Sequence, residues 1–124
     1  MGKIQIAEGK GNEKEAMIVA LTRDFKQTVV ARAKSDPAFA QALLDEALTL
    51  FLNGEPDTAK LVLRELVNAT VGFEALAADV HKPSKSLHRM LSASGNPTME
   101  SLSAIFVAIK KALHVEIKAV VTAG

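Results

Sequence analysis

An all-α fold is predicted by three features of the sequence. From Thr22 to Leu113 apolar residues recur at spacings of three and four, the period of a helix face. Pro, Gly, Asp, Asn and Ser interrupt these runs at intervals suited to helices of ordinary length. Aromatic residues make up only 4% of the 124 positions, five Phe with no Trp or Tyr, so the core is mainly aliphatic and suits helix-on-helix packing.

Each element has its own signals. Thr22 can cap a first helix with an inner stripe of Phe25, Val29 and Ala33. Ser35-Asp36-Pro37 ends it and starts a second, because Asp accepts from free N–H groups and Pro fits a first turn. Phe39, Leu43, Leu44, Ala47, Leu48 and Phe51 give that helix a broad apolar face, and Asn53-Gly54 ends it. Glu55-Pro56-Asp57 opens a third helix with Leu63, Leu66 and Val67 inward. After the break at Gly72 come two short helices, Phe73 to Val80 and Ser84 to Leu91. Ser94-Gly95-Asn96-Pro97 is a loop. Thr98 caps a last helix with the stripe Leu102, Ile105, Phe106, Ile109 and Leu113. From Val115 to Val121 apolar residues alternate, which predicts a short C-terminal strand; it lacks a ladder partner in its own chain and would pair with a second copy or another protein.

The organisation read from this pattern is a polar arm over 1–21, amphipathic helices over 22–70 and a second helical unit with the tail strand over 71–124. Met1 to Ala16 reads as a mobile arm or an expression-derived extension, with Met17 available as a start, and has no apolar centre of a secretory signal. The 48% hydrophobic content supplies one core, and no apolar run approaches the ~20 residues of a bilayer span. Cysteine is absent, excluding disulfides, thiolate metal sites and thiol nucleophiles; a cytoplasmic location is the expectation.

Fifteen basic against fourteen acidic residues give a net charge of +1, so the distribution of charge carries more information than its total. Between Val80 and Met99 the charged residues are Lys82, Lys85 and Arg89, with no Asp or Glu. The same stretch holds two short helices joined by His81-Lys82-Pro83, with small Ala77 at their crossing and Leu76, Val80, Leu87 and Met90 or Leu91 as a shared apolar wedge. This combination predicts a helix-turn-helix whose second helix enters the major groove of DNA. Ser84, Lys85, Ser86, His88 and Arg89 lie away from the apolar side, where hydroxyls and amines reach phosphates or base edges and Arg can take guanine in a bidentate manner.

Other classes fit less well. His81, His88 and His114 form no metal-type pair with a nearby carboxylate, and no phosphate-cradling glycine loop is present. Ser84 and His88 lack a third, orienting group. No enzyme activity, catalytic residue, cofactor or metal is therefore expected. The remaining alternative is an interaction module that neutralises a toxin or mediates assembly without specific DNA binding, using the helices from Thr22 to Ala69.

Gly72 to Val115 also resembles a known family. Phe73-Glu74-Ala75-Leu76-Ala77, the run from Pro83 to Ser92, Gly95-Asn96-Pro97-Thr98 and the helix from Met99 to Leu113 are similar to the phage-repressor-like superfamily. The likeness is greatest to the addiction-module antidote proteins of the host-inhibition-of-growth antitoxin type. The upstream segments Leu44 to Ala47 and Phe51 to Glu55 share it more loosely. The resemblance implies a homodimeric repressor of its own operon, bound to a palindromic operator in double-stranded DNA, with a small ribonuclease toxin encoded nearby as a partner. It makes Ser84, Lys85, Ser86, His88 and Arg89 the groove contacts, with Lys82, Asn96 and Thr98 flanking them on phosphates. It also puts His81 where the family ordinarily has a positive-φ Gly, and Lys82 where it has an apolar residue.

Overall fold

The computed structural model describes residues 23–124, with side chains from residue 27 onward. The cap at Thr22, the side chain of Phe25 and the polar arm over 1–21 therefore fall outside the described residues. Six helices follow one another among them: α1 (Arg23–Ser35), α2 (Pro37–Leu52), α3 (Pro56–Ala69), α4 (Phe73–Val80), α5 (Ser84–Met90) and α6 (Met99–Leu113). The chain is all-α over this range.

The predicted punctuation acts through ordinary backbone chemistry. Asp36 Oδ1 accepts from the N–H groups of Ala38 and Phe39 at 3.1 and 3.3 Å, and Pro37 takes the first position of α2, where no N–H is needed. Arg32 reinforces the corner, reaching Asp36 at 3.6 Å and lying 4.5 Å over the Phe39 ring. Asp36→Ala is expected to lower stability by about 1 kcal/mol, read from urea unfolding; a change under about 0.3 kcal/mol would show that the cap is replaced by water. Gly54 and Gly72 hold φ of 82° and 84° at the ends of α2 and α3, the left-handed region that other residues enter at a cost.

The first three helices pack on one another, α2 against α3 most extensively and α1 against both. α4 joins the end of α3, carries α5 and contacts α6, and α6 returns to α2. One aliphatic core runs through all of them. Leu63 and Leu66 of α3, Leu76 of α4, Leu87 of α5 and Ile105 and Ile109 of α6 are each fully buried. Phe51 and Phe106 meet edge to face at 6.0 Å where α2 and α6 touch.

The tail corrects one expectation. Among the described residues there is no strand, and Val115 to Val121 runs irregularly. Val115 donates its N–H to Lys110 O at 3.2 Å, closing α6 with His114 at φ 57°, so the first residue of the expected strand belongs to a helix end. Every other described element is a helix whose backbone groups are already used, which leaves nothing among the described residues to form a ladder.

Candidate nucleic-acid interface

α5 is short and two-sided. Leu87 and, just past its end, Leu91 have no exposed surface. Lys85, His88 and Arg89 are exposed, and their spacing of three and four residues puts them on one helix face. Ser84 and Ser86 are half-buried. Asp79 and Glu100 bracket the acid-free interval, so the cations here have no carboxylate within their own segment.

The turn before α5 is tight for a definite reason. His81 takes the left-handed conformation, φ 57° and ψ 44°, and ends α4 by donating its N–H to Ala77 O. Lys82 N–H reaches the same oxygen at 3.2 Å. Pro83 then adopts φ −63° and ψ 142°, and its carbonyl accepts from Ser86 and Leu87 at 3.0 and 3.2 Å. The positive φ expected at this position is thus present on a histidine, while Lys82 is exposed and fills no apolar site. A left-handed non-glycine residue costs about 1–2 kcal/mol, of which about 0.5–1 would return as lost chain entropy on changing to Gly. His81→Gly is therefore expected to raise stability by up to about 1 kcal/mol in chemical denaturation, and a destabilised variant would contradict the strain assigned to the turn.

Two of the predicted contacts are committed to work inside the chain. The His88 ring stacks on Phe73, centroids 3.9 Å apart and planes 22° from parallel. Phe73 is buried at the start of α4, so this contact pins the middle of α5 to its neighbour and fixes where Lys85 and Arg89 point. The Thr98 hydroxyl oxygen accepts from Ser101 N–H at 3.1 Å and the hydroxyl also donates to Ser101 Oγ, which occupies it as the cap of α6. Lys82 and Asn96 are exposed at the two flanks of α5.

The loop between α5 and α6 is held from outside by a residue the sequence reading passed over. Lys60, on α3, has only 4% of its surface exposed, and its Nζ donates to Gly95 O at 2.6 Å and Ala93 O at 3.2 Å. Asp57 sits 3.5 Å away but is itself 89% exposed, so the two carbonyls are the principal partners. The signal was present: Lys60 follows buried Ala59 and precedes Leu63 by three, a cation inside an apolar stripe. Among the described residues no cluster of His, Asp and Glu is arranged to hold a metal ion, and no helix is long and apolar enough to cross a membrane. No protein-family model, curated protein or solved structure matches the chain.

Proposed function

We propose that the chain is a sequence-specific DNA-binding transcriptional regulator in which α4, the turn at His81 and α5 act as a helix-turn-helix, with α5 in the major groove. One observation carries the reading: Leu87 of α5 and Leu91 just past its end are completely buried, while α5 presents Lys85 and Arg89 to solvent in a segment without acids. Phosphate contacts from Lys82 and Lys85 position the protein, and Arg89 reads a base edge. His88 acts chiefly by bracing α5, since its ring lies on Phe73. On the family resemblance, the regulator is an antitoxin-like repressor of its own operon, acting as a dimer and binding a ribonuclease toxin.

Fluorescence anisotropy with the DNA upstream of the chain's own gene tests this. Affinity is expected to fall steeply as salt rises, because phosphate contacts release counterions. Arg89→Ala is expected to weaken binding by about 1–3 kcal/mol and to relax preference at one base position. Equal affinity for that DNA and for random duplex would refute the reading. For the antitoxin role, co-expression with the neighbouring reading frame should yield a purified complex and rescued growth; absence of both would remove it.

A further inference from the structure

We propose that Asn53-Gly54, the corner between α2 and α3, is a site of spontaneous covalent modification, at which the Asn53 side chain exchanges its amide nitrogen for an oxygen of water and the product loosens the corner. Both residues are exposed. Glycine presents the least hindered main-chain nitrogen that can follow an asparagine, and nothing lies within 4 Å of where a Cβ on Gly54 would stand. The Gly54 N–H is weakly held, reaching Phe51 O at 3.4 Å, longer than such bonds usually are. An electrophilic carbon, Asn53 Cγ, and a loosely held nitrogen are thus chain neighbours at a solvent-facing turn.

Water is the only co-reactant. Once its proton has passed to hydroxide, the Gly54 nitrogen attacks Asn53 Cγ; the Cγ–Nδ2 bond breaks, ammonia leaves and a five-membered imide closes. Water then opens the ring. Breaking the new bond at Cγ gives aspartate, and breaking the bond at the Asn53 main-chain carbonyl gives isoaspartate. One water enters overall for each ammonia lost, and nothing is oxidised. The fold sets the pace. At ψ 16° the Gly54 nitrogen nearly eclipses the nitrogen of Asn53 rather than its Cβ, and Asn53 Nδ2 donates to Thr49 O at 3.0 Å. Ring closure therefore waits on opening of the last turn of α2, a local event that costs far less than unfolding.

Either product works against the corner. The Nδ2 donor to Thr49 O is replaced by an oxygen that repels it. A negative charge also arrives at the C-terminal end of α2, whose last turn has no basic residue to offset it. Isoaspartate further lengthens the main chain by one carbon, which takes the Glu55 N–H out of register with Leu50 O, its partner at 2.8 Å.

The test is peptide mapping by mass spectrometry of the full chain after ageing in mildly alkaline buffer. Conversion is expected at Asn53, faster as pH rises because the attacking nitrogen must lose its proton, and faster again in urea, which removes the restraint of the fold. Two other asparagines serve as controls within the same molecule. Asn68 is followed by Ala69 inside α3, and Asn96 by Pro97, which has no N–H to lose. Asn53→Gln needs a larger ring and should resist ageing, while Asn53→Asp, which carries one of the products from the start, is expected to melt about 2–5 °C below the parent. A native chain still intact at Asn53 after its urea-unfolded form has converted overturns the proposal, as does no conversion in either form. Equal conversion at Asn68, or an Asn53→Asp variant as stable as the parent, overturns it as well.

Discussion

Gly95→Ala is expected to be the most damaging single-methyl substitution in the described chain, lowering stability by at least about 2–3 kcal/mol. A Cβ at this position would overlap the carbonyl oxygens of Arg89 and Met90 and lie 2.6 Å from the Met90 carbonyl carbon. These are backbone atoms of the last turn of α5, so no side chain can swing away to make room. Gly95 is also tied on its other side, its N–H to Ser92 O at 3.0 Å and its carbonyl to Lys60 at 2.6 Å. The added methyl must therefore displace either the loop from Lys60 or the end of α5 from the core. A thermal melt should show a drop on the order of 10 °C; on the proposed DNA-binding function, affinity should fall by more than helix content, because the displaced turn carries Arg89. A variant that melts within a degree or two of the parent would show that the close approach relaxes without consequence.

Lys60→Ala is the second large effect, expected to cost about 2–4 kcal/mol. Two charge-assisted hydrogen bonds to Ala93 and Gly95 are lost together with the packing of a nearly buried alkyl stem. Lys60→Met separates the two parts, since it keeps most of the stem and removes the ammonium. Urea unfolding should place Met between the parent and Ala. Parent-like stability for both variants would mean that water serves the two carbonyls equally well.

Elements whose cause is local were legible in the sequence. Asp36-Pro37, Gly54, Gly72 and Thr98 act on N–H groups or backbone angles within a few residues, and each does in the structure what its chemistry predicts. The division of α5 into an apolar side and a cationic side was equally readable, because Leu87 and Leu91 are four apart on a helix. Contacts between distant segments were not. The stack of His88 on Phe73 depends on the angle at which α5 leaves the turn, and the grip of Lys60 on the loop joins residues 33 and 35 positions apart. Spacing within one helix specifies neither. The tail misled for a different reason: alternation reports a two-sided segment, but hydrogen-bonded pairing belongs to two segments, and the described residues hold no second one.

The grip of Lys60 has a mechanical consequence. One ammonium spans the seam between the upstream helices and the loop behind α5, so a push on α3 does not stop at its own surface. Tilting that helix by even an ångström would stretch the 2.6 Å bond to Gly95 or drag the loop along, and Gly95 rests directly on the carbonyls that end α5. The upstream helices and the end of α5 thus share one mechanical tie, made by a single side chain.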